Sequence, residues 1–460
     1  MEQQIHITLQ FDLAIGKVNL NEIVYRLDQL KNPLMLEILK TILTGYDDLI
    51  ADRLSPQRGV MTPSKMRKGL GRHVRKGDAG KRFCHGRCIR KRGYRKDPRV
   101  VSTVFGKLRL PLRVAQCQVC GARYSPLLDA LKIAPYSRKE SNFEHEVIEA
   151  VIDTNYRRLI EGRSFDVSLG GIHNLVVGSD VDQLEKSTCV DLKDLSAIMA
   201  DGTGYKRAKG KKGELRAVIG ITTAGTVEPL GTFANTGWGD IEQVIKERLK
   251  HTKATSIPFI YDGEPGLDDF LADVTESQRC AWHGPRGLYH ALWEDGIGKS
   301  ESQPQIDKLK HLIGIELPQG DYELLQEQDR QAVEEKYRSS KAEMADLIDV
   351  FKEHGYHKGA TYLENLSKRI FTNIDLWLRS GVIAPKTTSM LERIFREIGR
   401  RIKRIAWGWS DTTVTKLSKM IILKKYSKQK WKKFWKQKLG IEGNFSIHFV
   451  QADIRPCHNF

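Results

Sequence analysis

LSAIMADG (195–202) and IPFIYDGEPG (257–266) are two apolar runs about sixty residues apart, and in each the apolar stretch ends in Asp-Gly. Short apolar runs bounded by turn residues read as buried strands. Each of these delivers an acid, Asp201 or Asp262, to the point where the strand should leave its sheet. A third run, QRCAWHG (278–284), carries a thiol and an imidazole, Cys280 and His283. Between the first two, ELRAVIGIT (214–222) and TVEPLGTF (226–233) alternate like strands across the turn Thr223–Thr226. A helical pattern runs from about Ile241 to Leu249. One helix is expected to begin near Pro265 and another to follow QRCAW.

Three meandering strands followed by alternating helices and strands predict an α/β sheet in the ribonuclease H style. Polar groups at strand ends are where sites form in such sheets. Two carboxylates ~4 Å apart repel by ~4 kcal/mol at an effective dielectric near 20, so an ionised cluster calls for a cation. Magnesium takes oxygen ligands and keeps water and substrate phosphates. Two such ions ~3.5–4 Å apart can activate an attacking oxygen and stabilise a leaving one. Either aspartate alone reads equally as a strand-end turn residue followed by glycine. Both together, in this strand order and in a basic chain, favour the metal reading.

The chain has 460 residues, 40% hydrophobic and 29% charged, with a formal net charge of +18. That length predicts several domains, and the charge predicts a polyanionic partner, nucleic acid above all. The charge concentrates at Arg58–Arg113 and Lys416–Lys438. No apolar run reaches the ~18 residues of a membrane span, and MEQQIHITLQ lacks the features of a secretory signal. Both point to a cytoplasmic protein without a membrane partner. Metal binding is then the better reading of close cysteine pairs than disulfides.

Residues 1–56 predict a strand (5–11) and two helices, with Pro33 opening the second. Residues 57–137 are rich in Arg, Lys and Gly and read as a zinc ribbon. Cys84 and Cys88 precede two alternating stretches, 99–110 and 112–117, and Cys117 and Cys120 follow, so four thiolates can close a tetrahedral structural zinc site. Arg87, Arg90, Lys91, Arg92 and Arg95 beside it would meet DNA phosphates, with binding that weakens as salt rises. Residues 138–190 hold three short helical patterns like a helix-turn-helix, with the segment from Gly171 to Val177 as recognition helix. DGIGKS (295–300) lacks the first glycine of a phosphate loop and reads as a turn.

Cys280-x-x-His283, eighteen residues after Asp262, resembles a motif of the DDE transposases of prokaryotic insertion sequences, the Mutator-like group in particular. The order of Asp201, Asp262 and Cys280-x-x-His283 carries that resemblance. It implies a ribonuclease H-like catalytic domain (191–284 and 386–425) interrupted by an all-α insertion (285–385). Long helical patterns fill the insertion. It also implies a final glutamate on the helix in KTTSMLERIFREIGRRIKRIAWGWS (386–410). There Thr387 or Thr388 can cap, and Leu391, Ile394, Phe395, Ile398, Ile402 and Ile405 form a stripe. Glu392 at its edge is preferred as third acid over Glu397. Arg396, Arg400, Arg401, Lys403 and Arg404 would face phosphate.

The resemblance implies two Mg²⁺ (or Mn²⁺) ions held by Asp201, Asp262 and Glu392, with Cys280 and His283 supporting the site. It implies double-stranded transposon ends and target DNA as partners, action as a homodimer or larger complex, and a nucleoid-associated prokaryotic setting. The tail, 426–460, interleaves Lys with Trp431, Phe434 and Trp435. That suits DNA contact, or an amphipathic helix on a membrane or partner. A hydrolase of the same fold and a domesticated, inactive DNA-binding regulator are the competing functions.

Overall fold

The computed structural model describes residues 20–53, 89–117, 123–131, 133, 137–162, 165–186, 190–250, 257–318, 322–324, 326–403 and 408–440. The chain forms two compact units, residues 1–151 with 156–169, and residues 152–155 with 170–460.

The first unit opens on α1 (Leu20–Arg53), one helix that runs through Pro33. Two helices were expected. Proline removes one backbone donor but does not end a helix whose neighbouring turns are held by packing. The expected strand at 5–11 lies outside the described residues. Next come β1 (Ile89–Tyr94), β2 (Arg99–Thr103), β3 (Gly106–Leu110), β4 (Arg113–Cys117) and β5 (Arg123–Tyr124). β2 and β3 form a hairpin, and β1, β4 and β5 a small antiparallel sheet. Gly106, at φ +126°, ends the hairpin turn in a conformation that disfavours side chains. Val101, Leu108, Leu110, Leu112 and Leu127 pack against Leu36, Leu39 and Leu43 of α1. Arg113 donates to the buried Asp47 at 3.0 Å and anchors the sheet to that helix. Helices α2 (Pro126–Ala130), α3 (Ser141–Asp153) and α4 (Tyr156–Glu161) follow. Cys84, Cys88, Cys120 and Arg87 lie outside the described residues, and of Cys117 and Lys91 only the backbone is described. Arg90, Arg92 and Arg95 are exposed.

The second unit begins with α5 (Leu169–Val177), α6 (Val181–Lys186) and β6 (Val190–Asp191). Helices therefore stand in the segment read as a helix-turn-helix, with α4 in the first unit and α5 in the second. The central sheet is built from β7 (Leu195–Lys206), β8 (Lys212–Thr222) and β9 (Val227–Ala234), then α7 (Trp238–Arg248), the short β10 (Leu249–Lys250) beside β6, β11 (Ile257–Tyr261) and β12 (Thr275–Arg279). Its order is β12-β11-β7-β8-β9. β7, β8 and β9 are antiparallel neighbours, whereas β7, β11 and β12 run parallel. The sheet is thus mixed, as the meander followed by alternating elements implied.

Three local expectations fail here. β7 continues five residues past Asp201 to Lys206, because β8 is long enough to pair with it throughout. No α-helix follows Pro265. Turns fill the thirteen residues between β11 and β12, with Gly263, Gly266 and Leu271 all at positive φ, which a helix cannot contain. β12 ends at Arg279, one residue before Cys280.

The insertion is helical among its described residues: α8 (His283–Glu294), α9 (Lys299–Ile313), α10 (Glu327–Glu353), α11 (His357–Ser367) and α12 (Thr372–Ser380). Leu288, Leu309, Leu347, Phe351, Leu363 and Trp377 form its core. DGIGKS is a turn, with Gly296 at φ +85° and α9 starting at Lys299. The chain then returns to the sheet through α13 (Ser389–Ile402), α14 (Asp411–Tyr426) and α15 (Lys428–Leu439). Alternation along the strands explains the layering. Ile198, Ala200, Phe259 and Tyr261 share one core with Ile241 and Ile245 of α7. Ala197 and Met199 point to the opposite side, where α13 and α14 pack.

The tail aromatics behave differently from expectation. Trp431 and Trp435 are buried and pack edge-to-face on each other, so they are not free to stack on bases. Lysines around them made α15 read as a contact surface. Its second, apolar face is what the fold uses.

Candidate active site

Register places the two aspartates together. Ala200 of β7 pairs with Tyr261 of β11, and Tyr261 pairs with Arg279 of β12. The next residue along each of these parallel strands is Asp201, Asp262 and Cys280. Each acid therefore leaves the parallel part of the sheet at the same level as its neighbour. Asp201 alternates with Ala197 and Met199, and Asp262 follows Ile260, so both continue the face covered by α13.

α13 brings Glu392. Its stripe of Leu391, Ile394, Phe395, Ile398 and Ile402 is buried, which fixes the rotation of the helix and leaves Glu392 half-exposed at the edge of the stripe. Asp201, Asp262 and Glu392 line one cavity of about 1010 Å³, together with His283, Glu264, Arg279, Arg286, Tyr362, Arg396, Gly399, Arg400 and Lys403. That is at the upper end of the range usual for small-molecule sites, and the rim is basic.

The carboxylates feel each other. Asp201 is 7% exposed. Burial, followed by the charge of Asp262, pushes its carboxyl up to about 7, against the hydrogen bond from the Gly202 N–H and the nearby His283. The Gly202 N–H donates to Asp201 Oδ1 at 2.7 Å, and the Glu264 N–H donates to Asp262 Oδ1 at 2.8 Å. Gly263 makes the second bond possible by turning the chain at φ +105°. Gly263→Ala would strain that backbone by about 1–3 kcal/mol, and its Cβ would overlap the Arg279 guanidinium. A melting temperature lowered by several degrees is the expected result, with cavity-dependent activity reduced; an unchanged melt would show that the turn tolerates a side chain.

Cys280 and His283 stand beside the acids. Cys280 Sγ accepts from the Thr388 N–H at 3.4 Å and from Thr388 Oγ1 at 3.6 Å. Thr388 holds the N-cap position of α13, yet its side chain does not cap the helix. The expected cap is thus replaced by a bond that ties the start of α13 to the end of β12. His283 Nε2 lies 3.8 Å from Glu392 Oε1. The sulfur beside the ring raises the imidazole against burial. Burial alone would raise the thiol, but His283 and Thr388 outweigh it and lower it. Thiol and ring are close enough to shift each other without reaching hydrogen-bond geometry, and His283 Nδ1 is left without a partner.

Glu264, Arg216 and Arg279 were not read from the sequence. Arg216 bonds to Glu264 and to the Thr236 carbonyl, and lies 4.8 Å over the Trp238 ring. Glu264, two residues after Asp262, was legible as a further acid in YDGEPG, but only the fold turns it into the same cavity. Among the other residues expected at phosphate, Arg396, Arg400 and Lys403 line the cavity. Arg401 is a correction: it is 7% exposed, because it follows Arg400 round the helix onto the packed side. Arg404 lies outside the described residues. Glu397 does not line the cavity; it accepts from Arg400 at 2.6 Å and Lys425 at 2.5 Å.

The donor set suits a hard, oxygen-seeking cation in chemistry: three carboxylates at one cavity, one of them destabilised by burial and by its neighbour's charge. Among the described residues no three His, Cys, Asp or Glu side chains stand close enough to form a ready metal cluster. No helix among them is long and apolar enough to cross a membrane.

No family model matches the chain, and no curated protein matches it. Among solved structures, the Drosophila P element transposase strand transfer complex contains a chain similar over 65% of this one and 95% of its own, at 9% identity and a TM-score of 0.37.

Proposed function

We propose that the chain is a DNA transposase with a ribonuclease H-like core, binding element ends and catalysing strand cleavage followed by 3′-hydroxyl transfer. The observation that carries this is the register of β7 and β11, which sets Asp201 beside Asp262 on the face that receives Glu392. The mixed sheet, with its antiparallel β7-β8-β9 and parallel β7-β11-β12, supports the fold assignment.

In this reading Asp201, Asp262 and Glu392 would hold divalent cations, Mg²⁺ or Mn²⁺, which when bound activate an attacking oxygen and stabilise a leaving one. The protein's own groups do the rest. Arg286, Arg396, Arg400 and Lys403 hold the phosphodiester strand across the cavity by charge-assisted bonds. Lys403 is already steadied by its 2.7 Å bond to Thr203 on β7. His283 and the Cys280–Thr388 contact set the position of Glu392 relative to the sheet. Water is the first nucleophile, attacking a phosphodiester to free a 3′-hydroxyl and leave a 5′-phosphate on the other fragment; that hydroxyl then attacks a target phosphodiester in line and displaces the target's own 3′-oxygen.

Outside the core, Cys84, Cys88, Cys117 and Cys120 would hold one structural Zn²⁺. The pairing of Ile89 with Cys117 supports this, since Ile89 follows Cys88 directly. The helices around Gly171–Val177 would add DNA contacts, and pairing of two ends calls for a dimer or larger assembly.

The test supplies donor duplexes with free 3′-hydroxyl ends, a target plasmid and Mg²⁺. Joined products that vanish with Asp201→Ala are expected. Cleavage without joining would make the chain a hydrolase of the same fold, and neither product would leave a DNA-binding regulator.

A further inference from the structure

Helix α8 leaves the cavity with an unusual outer face. Trp282, in helical conformation at its N-terminus, is followed at helical spacing by Arg286, His290 and Trp293. At about 100° per residue these four fall within about 80° of one another around the axis. Gly284, Pro285, Leu288 and Leu292 occupy the opposite side and are buried. Trp282 is 70% exposed and Trp293 67% exposed. Trp282, Arg286 and His290 line the cavity that holds Asp201, Asp262 and Glu392. Trp293 continues the row outward, about 16 Å from Trp282 at 1.5 Å per residue. Arg286 has no hydrogen-bond or ion-pair partner among the described residues.

A large aromatic left in water at each end of a row, with a guanidinium and an imidazole between, is a poor choice for a solvated face. It suits a ligand with alternating flat faces and negative charges. A DNA duplex offers phosphates but no base faces, because its bases stack on one another. An unpaired strand offers both. We propose that the outer face of α8 is a track for an unpaired DNA strand leaving the cavity, with Trp282 and Trp293 stacking on bases and Arg286 on the phosphates between. At about 3.4 Å per stacked nucleotide the row accommodates about five nucleotides. The net charge of +18 and the continuity of the row with the basic cavity argue for nucleic acid over a protein occupant. The inference rests on the reading that this cavity takes DNA, though not on the chemistry performed there.

The test uses the full chain with a chelator present, so that binding is separated from cleavage. Two labelled duplexes of arbitrary sequence are compared, one blunt and one ending in a single-stranded extension of about five nucleotides. The wild type is expected to bind the extended duplex more tightly and to show quenched tryptophan fluorescence on it. Trp293→Ala, three turns along α8 from Trp282, should weaken the extended complex about five- to hundredfold and leave the blunt one unchanged. Trp293→Phe should restore most of the loss. Trp282→Ala should also weaken the extended complex. Equal affinity of the wild type for both duplexes would overturn the proposal. So would an unchanged preference in the double alanine variant, or an altered sedimentation coefficient in that variant without DNA, which would mark a protein contact. A chain that shows the preference but joins no DNA leaves the track standing and removes the transposase reading alone.

Discussion

Glu392→Gln is expected to reduce DNA cleavage and joining by more than about a hundredfold, whereas Glu397→Gln leaves both near wild type. Removing groups that merely orient metal ligands costs about 10–100-fold, so loss of a ligand should exceed that. The two glutamates are five residues apart on α13, and both flank its apolar stripe. Glu392 lines the cavity with Asp201 and Asp262, 3.8 Å from His283. Glu397 instead joins α13 to α14 through Lys425 and closes a local pair with Arg400. The Lys425 bond, reinforced by the charges of Lys425 and Arg400, outweighs burial and holds its carboxyl below the usual glutamate range. A carboxylate lowered on folding stabilises above its unfolded value and loses that contribution as pH falls through the folded one. Glu397→Gln should therefore cost about 1 kcal/mol near neutral pH and nothing in acid. Single-turnover joining assays paired with melting curves decide it. An inactive Glu397→Gln with an active Glu392→Gln would reverse the assignment of the third acid.

Asp201→Asn should also abolish activity, and it should make the metal-free protein more stable at about pH 8. The carboxyl rises from 3.8 unfolded to about 7 folded. The native state then holds its proton more tightly than the unfolded chain, so stability falls as pH climbs from about 4 to 7 and stays low above that. A shift of about three units corresponds to at most about 4 kcal/mol. Asparagine keeps an oxygen for the Gly202 N–H and carries no charge to bury, so a gain of about 2–4 kcal/mol is expected at pH 8 and almost none at pH 4. Added Mg²⁺ should narrow that gap, raising the wild-type melting temperature and leaving the variant unmoved. At a hundredfold excess over Kd the gain is about 2.7 kcal/mol. Identical melts of both proteins at pH 4 and pH 8 would sink the argument, because burial would then carry no penalty.

Much of the core was readable because its signals are local. LSAIMADG, ELRAVIGIT and IPFIY are apolar enough to be buried wherever they fold, and all three are strands. The stripe on α13 repeats at helical spacing and is buried as expected. Errors came where a neighbour overrides local preference. Asp201 looked like a strand end, but β8 offers partners up to Lys206. Pro33 looked like a helix start, but α1 continues through it. Trp431 and Trp435 looked like contact residues because lysines surround them in the chain; in space they face the interior. Arg401 sits among arginines in sequence, and the turn of the helix alone carries it inward.

Which residues could meet was a matter of long-range pairing. Apolar runs ending in Asp-Gly were sufficient to name Asp201 and Asp262 and to place them at two strands, since burial and periodicity act over a few residues; the apolar stripe placed Glu392 and Glu397 on a helix, and only the family resemblance preferred Glu392. Their shared cavity depends on the Ala200–Tyr261 register, on side chains alternating to the α13 face, and on Cys280 receiving Thr388 across 108 positions of chain. A one-residue slip of β11 against β7 would turn Asp262 to the other side of the sheet. No stretch of sequence contains that register; it follows from the two faces of the sheet finding α7 and α13 at once.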